Sequence, residues 1–342
     1  MCVKDILKDL IKFNTVKDKE NEIIMNYIER CLKSKGFKTE YKSKCLIMSI
    51  KDNYNLGFLG HTDTVVAGSN WKTDPYEMKE YNGKLYGLGI CDMKGGIASI
   101  LQAVIETDWE KLKYGIKLYF TYDEEIGFEG IKEIVQKKEK FPNYMIIGEP
   151  SNNIIMNASK GLLELKLTFN GISAHSSMPN KGENAIENTI KFLNELKNFY
   201  NKLKEDKNND FEIEYTTMNI GKINGGKSIN IVPNSCEVFI DFRVIKNEHI
   251  SLILNKISKL TKKYNATYSI INNINPFINK NEKVCPTNFI TEASFIDSEN
   301  RYILGVGPVN PHEENEYITI ESLDKLVTQY KNMIYKFCIK FN

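Results

Sequence analysis

The amino-acid sequence predicts an α/β fold in which a domain with a largely parallel central sheet carries an inserted ferredoxin-like α+β domain. Strands alternate with helices in the first part of the chain, this order changes after about residue 160, and a strand followed by a helix returns near the end. A chain of 342 residues is long enough for two domains. We therefore assign residues 1–160 and 273–342 to the first domain and residues 161–272 to the inserted one.

The spacing of apolar residues predicts the elements of the first domain. It predicts helices over 3–11, 24–32, 97–105, 128–138 and 323–337, strands near 38–41, 46–50, 56–59, 116–122 and 144–147, and a strand with a loop over 301–307. Ligands of parallel sheets gather at the carboxyl ends of the strands. Four polar residues lie at such ends: His61, Glu124, Glu125 and Glu149.

The inserted domain has the order strand, helix, strand, strand, helix, strand. Its first strand, over 163–169, alternates apolar and polar side chains, which is typical of a strand with one buried face. The other elements are predicted over 185–196, 211–220, 236–244, 250–260 and 266–271. This order is that of the ferredoxin-like split βαβ unit.

Composition and charge narrow the class of protein. A formal net charge of +2 is too small to indicate nucleic acid or an anionic membrane as a partner, and no apolar run approaches the roughly 18 residues that cross a bilayer. The N-terminal stretch lacks the apolar core of a signal peptide. Seven cysteines without a CxxC pair favour free thiols in a reducing compartment. We therefore expect a cytoplasmic protein with no nucleic-acid or membrane partner.

Asp92 lies among glycines directly before a predicted helix, in the stretch Tyr86-Gly87-Leu88-Gly89-Ile90-Cys91-Asp92-Met93-Lys94-Gly95-Gly96. Glycine lets a backbone approach other groups closely. Taken alone, the stretch fits either a helix cap or a functional carboxylate at a crowded turn. A dinucleotide-binding GxGxxG motif is excluded because Asp92 occupies its third glycine position, and the chain has neither a Walker pattern at Lys94 nor an HExxH motif.

His61 and Asp63 are two residues apart at a strand end and therefore lie on one side of the backbone. They could be a metal ligand and the acid that orients it, or an ordinary polar strand end. For Glu124 and Glu125, one could bind metal while the other transfers protons. Alternatively, both could form a charged turn that favours the start of a helix through its dipole.

Glu149 and His312 have ordinary loop positions when each is considered alone. Together with His61 and the other acids they indicate a site for two metal ions, because imidazole and carboxylate ligands suit Zn²⁺, with Co²⁺ or Mn²⁺ as replacements. Two cations about 3.5–4 Å apart need a carboxylate that bridges them. Asp92 is the candidate for that bridge.

Several motifs, in order along nearly the whole chain, resemble one family of dizinc amidohydrolases and exopeptidases, which includes acetylornithine deacetylases, succinyl-diaminopimelate desuccinylases, aminoacylases and glutamate carboxypeptidases. They are Gly60-His61-Thr62-Asp63-Thr64-Val65, Lys84-Leu85-Tyr86-Gly87-Leu88-Gly89, Asp92-Met93-Lys94-Gly95, Asp123-Glu124-Glu125, Ile147-Gly148-Glu149-Pro150, Ser173-Ala174-His175-Ser176-Ser177 and Asn230-Ile231-Val232-Pro233. Within this family, the stretches 71–75, 291–293 and 315–317 resemble the acetylornithine deacetylase subgroup. The chain departs from the family at Val66 and Cys91, and neither change removes a ligand.

The resemblance implies roles for the residues of the first domain. Five side chains would hold two zinc ions per subunit: His61 and Glu149 one ion, Glu125 and His312 the other, and Asp92 both. Asp63 would orient His61, and Glu124 would be the general base. A cis peptide bond after Asp92 is also implied.

Three residues of the inserted domain would contact the substrate. His175 would stabilise the oxyanion, often in the site of a neighbouring subunit, and Arg243 and Asn230 would bind the substrate carboxylate. A guanidinium fork suits a carboxylate, although a surface salt bridge is an alternative for Arg243. The inserted domain would close as a lid, and its exposed strand edges favour a homodimer.

The reaction implied by the resemblance is hydrolysis of the amide bond of an N-acyl amino acid, with N2-acetylornithine as the first candidate. Desuccinylation of succinyl-diaminopimelate and dipeptidase or carboxypeptidase activity are alternatives within the family. A non-catalytic amino-acid-binding protein of the same fold is an alternative from another class, and the intact ligand set argues against it.

Overall fold

The computed structural model of the chain describes residues 2–17, 19–279, 282–287 and 289–339. These residues form two compact units, one that runs to Asn157 and resumes at Thr291, and one from Ala158 to Ile290. The predicted boundaries at residues 160 and 272 differ from these. Residues 273–290 belong to the second unit, where Phe277–Ile278 and Pro286–Thr287 both pair with Ala158–Ser159. Some residues of the predicted domains lie outside the described ranges: 1, 18, 280–281, 288 and 340–342.

The helices and strands follow the predicted order. The helices are α1 Val3–Ile11, α2 Asn21–Leu32, α3 Gly95–Glu106, α4 Glu124–Gly127, α5 Glu129–Gln136, α6 Ala185–Leu203, α7 Asn247–Lys263 and α8 Ile320–Cys338. The strands are β1 Lys38–Lys42, β2 Cys45–Ile50, β3 Tyr54–His61, β4 Lys79–Tyr81, β5 Lys84–Tyr86, β6 Gly115–Thr121, β7 Tyr144–Ile147, β8 Ala158–Ser159, β9 Gly161–Asn170, β10 Thr217–Gly225, β11 Ser235–Val244, β12 Ala266–Ile274, β13 Phe277–Ile278, β14 Pro286–Thr287, β15 Asn300–Ile303 and β16 Tyr317–Thr319. The helix predicted over 128–138 is observed as α5, Glu129–Gln136. The sequence does not predict the short helix α4 before it, which is separated from α5 by Phe128 with a left-handed φ of 62°.

The first unit is built on a six-stranded sheet with the order β1-β2-β6-β3-β7-β15. β6, β3, β7 and β15 run parallel, whereas β1 and β2 add an antiparallel edge. The prediction of a largely parallel sheet is therefore confirmed. Because β6, β3 and β7 are parallel neighbours, their carboxyl ends lie side by side at one edge of the sheet.

Helix α3 packs against α1 and α8 with its apolar residues buried. Gly96, in the first turn of α3, leaves no room for a side chain, since a Cβ there would lie 2.2 Å from the carbonyl oxygen of Gly148. The start of α3 therefore lies directly on the turn that leads to Glu149. This close approach is the use that the sequence predicts for the glycines around Asp92.

The second unit contains the predicted order of elements in β9, α6, β10, β11, α7 and β12. Its four long strands form an antiparallel sheet of order β10-β11-β9-β12, which shares an apolar core with α6 and α7. The ferredoxin-like prediction is confirmed. The bounds of the strand predicted over 211–220 are wrong, because this strand is β10, which spans Thr217–Gly225. Phe211 is buried in a small separate cluster with Ala158 and Ile245. Phe211 is therefore apolar because it packs in this cluster, and it does not belong to a strand.

Two predictions from composition, free thiols and no membrane-spanning segment, can be compared with the structure. All seven cysteines are free thiols. Within the part of the chain that the structure describes, no helix combines the length and the apolar character that a membrane span requires.

Candidate active site

Three neighbouring strands bring the predicted site residues to one edge of the sheet of the first unit. His61 is the last residue of β3. Glu124 and Glu125 open α4 shortly after β6, and Glu149 follows β7. These side chains therefore lie at the edge where the parallel strands end, as the sequence predicts.

Asp92 joins this group from a tight turn before α3. Gly89 has a left-handed φ of 71°, which glycine adopts without strain, and the peptide bond between Asp92 and Met93 is cis. The residue at the cap position of α3 is Lys94, and no side chain caps this helix. The interpretation of Asp92 as a helix cap is therefore wrong.

The first group of candidate ligands consists of His61, Asp92 and Glu149. His61 Nε2 lies 3.0 Å from Asp92 Oδ1 and 3.7 Å from Glu149 Oε1. The other ring nitrogen, Nδ1, lies 3.1 Å from the carbonyl oxygen of Asp63 and 3.5 Å from its Oδ1. Without a cation, Nε2 donates its proton to Asp92; with Nδ1 held by Asp63, loss of the Nε2 proton would leave a lone pair that faces both carboxylates. The tautomer that results is the one that a metal ligand needs.

The second group consists of Asp92, Glu125 and His312. His312 Nε2 lies 3.0 Å from Glu125 Oε2 and 3.5 Å from Asp92 Oδ2. The two oxygens of Asp92 thus face different histidines, Oδ1 towards His61 and Oδ2 towards His312. Across the described ranges, these two groups are the places where three or more such side chains hold ligand atoms within 4.8 Å of one another. One carboxylate shared by both groups fits a site for two cations that lie close together.

Asp63 has a second contact that its spacing from His61 does not reveal. Its Oδ1 accepts a hydrogen bond from the backbone N–H of Glu124 at 3.3 Å, and its Oδ2 accepts one from the N–H of Glu125 at 3.2 Å. Asp63 therefore holds the turn that carries the predicted general base and a predicted ligand. The contact follows from the pairing of β3 with β6, which the motifs alone do not show.

Burial of several acids in one place shifts their pKa values. Burial raises the pKa of Glu149 well above its usual range, and the charge of Asp92 adds to the rise. Burial also raises the pKa of Glu124, although His61 opposes the change. Asp92 is different, because hydrogen bonds from His312 and His61 outweigh the effect of burial and hold the pKa of Asp92 below its usual range. The site therefore concentrates negative charge that positive groups must offset.

The donor set fits divalent cations. Imidazole nitrogens and carboxylate oxygens are ligands of Zn²⁺, Co²⁺ and Mn²⁺. A cation in either group would offset the repulsion among the buried carboxylates, and the Nδ1 contact of His61 supplies the orientation that ligating histidines usually have. His61, Asp92 and Glu149 could hold one ion, and Asp92, Glu125 and His312 the other.

We predict that the affinity for a divalent metal rises with pH. Hydrogen bonds to Asp92 and Glu125 raise the pKa of His312 from 6.5 to about 10 in the absence of a cation. At neutral pH His312 therefore carries a proton that a metal ion has to displace, and the affinity should increase about tenfold per pH unit for each proton released. Calorimetric titration with Co²⁺ in buffers of different ionisation enthalpy measures both the affinity and the protons released. An affinity that stays constant from neutral to alkaline pH would contradict the prediction.

Glu316 is a buried acid whose role no motif spacing indicates. Its Oε1 accepts hydrogen bonds from the N–H groups of Cys91 at 2.6 Å and Asp92 at 3.0 Å, and its Oε2 accepts one from Gly89 at 2.9 Å. Burial raises the pKa of Glu316 to about 8, and the three N–H groups oppose that rise. The signal in the sequence is the Asn315-Glu316-Tyr317 stretch, which marks the residue but not its contacts.

Glu292 is a second buried acid near the strand ends. Its Oε1 accepts a hydrogen bond from the hydroxyl of Thr121, the last residue of β6, at 2.7 Å. Burial raises the pKa of Glu292 to about 7. The Thr291-Glu292-Ala293 stretch belongs to the resemblance, but the contact with β6 depends on the fold.

In the second unit, His175 and Asn230 lie together. The antiparallel pairing of β9 with β11 continues past the strand ends, since the N–H of Val232 donates to the carbonyl oxygen of Ala174 at 2.9 Å. The N–H of Ser176 donates to the carbonyl oxygen of Asn230 at 3.0 Å. Both His175 and Asn230 are exposed, so this loop pair presents an imidazole and an amide to the outside of its unit.

Arg243 lies at the other end of the same pair of strands. It pairs with Leu162 at the start of β9, whereas His175 and Asn230 lie beyond the end of β9. At about 3.3 Å per residue, the length of strand between these ends is roughly 25 Å. The guanidinium is held by Asp241, with Nε 3.1 Å from Oδ1 and Nη2 3.0 Å from Oδ2. Arg243 and Asn230 of one chain therefore cannot bind the same carboxylate, which corrects the prediction for a single subunit.

Two imidazole–carboxylate groups share Asp92 at the edge of the sheet, and Glu124 lies beside them. Metal-dependent hydrolases use sites of this kind. The sequence model of Peptidase family M20/M25/M40 matches residues 57–336. The chain belongs to this family of hydrolases, whose members generally use divalent metals. The family resemblance stated from the motifs is therefore confirmed.

Comparison with individual relatives and solved structures supports the same family and fold. The acetylornithine deacetylase of Pasteurella multocida (strain Pm70) is 30% identical over 356 residues, which cover 94% of this chain and 92% of the relative. A solved structure of a tripeptidase from Staphylococcus aureus aligns with a TM-score of 0.78 at 20% identity, and covers 98% of this chain and 97% of that one. An M20 family metallo-carboxypeptidase from Sulfolobus solfataricus aligns with a TM-score of 0.77 at 19% identity, and covers 98% of each chain. These structures confirm the predicted fold class.

Proposed function

We propose that the protein hydrolyses the amide bond of an N-acyl amino acid, with N2-acetylornithine as the first candidate substrate. The observation that carries the proposal is the position of Asp92 between His61 and His312, because one carboxylate shared by two sets of ligands would let two cations bind close together, as in two-metal hydrolytic sites. The substrate is inferred from relatives that bear the name acetylornithine deacetylase, at 30% identity over almost the whole chain.

Bound divalent cations would acidify a water molecule and polarise the scissile carbonyl group. Glu124 would take the proton of that water and later give it to the leaving amine. Burial raises the pKa of Glu124, and a carboxylate with a raised pKa is suited to both steps. Asp63 would keep Glu124 in place through the backbone N–H groups of Glu124 and Glu125.

Zinc is the metal we propose, with two ions per subunit. The ligands would be His61, Asp92, Glu149, Glu125 and His312. Co²⁺ or Mn²⁺ would fit the same donors. The cytoplasmic location stays a prediction that rests on the free cysteines.

Two copies of the chain would form the working enzyme. A substrate that contacts Arg243, His175 and Asn230 needs residues of two subunits, because Arg243 lies at the opposite end of the β9–β11 pair. His175 and Asn230 would come from one subunit and Arg243 from the other. The edge strand β10 exposes Ile220 and Ile223, which offers an apolar edge on which chains could pair.

A substrate panel tests the proposed reaction. Protein supplied with Zn²⁺ or Co²⁺ is assayed with N2-acetylornithine, succinyl-diaminopimelate and dipeptides side by side, and N-acetylnorvaline serves as the matched substrate that lacks the terminal amino group. The highest kcat/KM for acetylornithine supports the proposal. Turnover of the dipeptides alone would replace it with dipeptidase activity. Amino-acid binding without any turnover would favour the non-catalytic alternative.

A further inference from the structure

Glu316 connects two segments that carry proposed ligands. It belongs to the same loop as His312, while its carboxylate accepts three hydrogen bonds from the turn that contains Asp92. The main-chain carbonyl oxygen of Glu316 accepts a further hydrogen bond from the N–H of Gly87 at 3.3 Å. The residue is only 2% exposed. We propose that Glu316 is a positioning residue that sets the place of the Asp92 carboxylate relative to His312.

The Asp92 turn needs such a partner because regular secondary structure does not hold it. Asp92 has φ −121° and ψ 95°, and Met93 has φ −131° and ψ 32°, both outside the helical region. The N–H of Asp92 donates a hydrogen bond to Glu316 Oε1 at 3.0 Å. A buried N–H group requires an acceptor, so Glu316 fixes the backbone of the residue whose side chain faces both histidines.

A carboxylate is the side chain that suits these three donors. Its two oxygens have enough lone pairs to accept from all three N–H groups. Glutamine would keep one oxygen for Cys91 and Asp92, but its NH₂ group would face the N–H of Gly89. Replacement of one oxygen by NH₂ would therefore turn an attraction into a contact between two donors and displace the turn.

The position of Asp92 affects both groups of candidate ligands at once. Its Oδ1 lies 3.0 Å from His61 Nε2, and its Oδ2 lies 3.5 Å from His312 Nε2. A shift of the backbone at Asp92 changes both distances. An acid that served the fold alone would alter the unfolding temperature when replaced, but it would leave the metal affinity of the folded protein unchanged. Metal affinity therefore separates a positioning role from a purely structural one.

The inference rests on the proposed metal centre, and calorimetric titration with Zn²⁺ alone tests it without any substrate. Wild type, Glu316→Gln and Glu314→Gln are stripped of metal, checked for folding by circular dichroism and titrated. Glu314 is the matched control, because it lies on the same loop and accepts the N–H of Asn70 at 2.9 Å in an exposed contact. We expect two equivalents for wild type and for Glu314→Gln. For Glu316→Gln we expect at least one equivalent to bind about tenfold more weakly or worse.

The outcomes are distinct. Wild-type affinity in a folded Glu316→Gln protein, or equal weakening in Glu314→Gln, overturns the positioning role and leaves the metal centre intact. A wild type that binds no Zn²⁺ overturns the metal centre and this inference with it. If Glu316→Gln does not fold, Glu316→Asp replaces it, since the shorter side chain keeps the carboxyl group but cannot reach all three N–H groups. The same loss of affinity is then expected.

Discussion

Replacement of Glu124 by glutamine is expected to lower kcat by about three orders of magnitude or more while the bound metal is retained. The amide has the shape of the carboxylate but cannot accept the proton of the attacking water. Glu124 is outside both groups of candidate ligands, so the loss of its charge should leave those ligands in place. The contact between Glu124 and Asp63 uses the backbone N–H of Glu124 and should survive the substitution.

Metal analysis and steady-state kinetics on the same preparation check this result. Glu129→Gln is the matched control, because Glu129 begins the adjacent helix α5 and its side chain is 60% exposed beside Lys132. It should keep the wild-type kcat. A Glu124→Gln protein that loses metal would assign Glu124 to the ligands. One that keeps the wild-type rate would remove Glu124 from the mechanism.

The edge of the sheet is the part of the site that sequence reasoning predicts best. An apolar run that stops at a polar residue shows both a buried strand and its end, and the strand predicted over 144–147 is observed as Tyr144–Ile147. The position of Glu149 follows directly from that strand. Parallel neighbours bring such ends together, so His61 and Glu149 are predictable as neighbours without knowledge of their contacts.

Contacts between a carboxylate and distant backbone N–H groups are not predictable in this way. Glu316 and Asp92 are 224 positions apart in the chain, and Asp63 and Glu125 are 62 apart. Motif spacing reports residue types, whereas these contacts depend on how a loop or a strand end lies against another. The sequence therefore indicates the proposed ligands of the metal ions but not the acids that hold those ligands in position.

Strand register is the other property that motifs do not contain. The resemblance assigns Arg243 and Asn230 to one carboxylate because both occur in the family's pattern. The pairing of Arg243 with Leu162 puts it at the start of β9, and Asn230 pairs beyond the end of that strand. A sequence motif gives no length along a strand, so this separation appears only in the structure.

Mixed dimers of Glu124→Gln and His175→Ala subunits are expected to recover activity that neither variant has alone. If His175 serves the site of the neighbouring subunit, one site of the mixed dimer has both residues intact and the other has neither. The mixed dimer should then show about half of the wild-type kcat per dimer. If His175 serves its own chain, each site lacks one residue and no activity returns. Co-expression of differently tagged subunits, followed by purification on both tags, supplies the dimers for kinetics.

Mixed dimers of Glu124→Gln and Arg243→Ala subunits are the matched control. Arg243 lies at the opposite end of the β9–β11 pair from His175, so one substrate cannot contact both residues of the same chain. Arg243 should then serve the site of its own subunit, and this second mixture should stay inactive. Recovery with Arg243→Ala but not with His175→Ala would reverse the assignment. If one substrate contacts both residues, they must come from different chains, because they lie at opposite ends of the β9–β11 pair. Recovery of activity in both mixtures, or in neither, would contradict that arrangement.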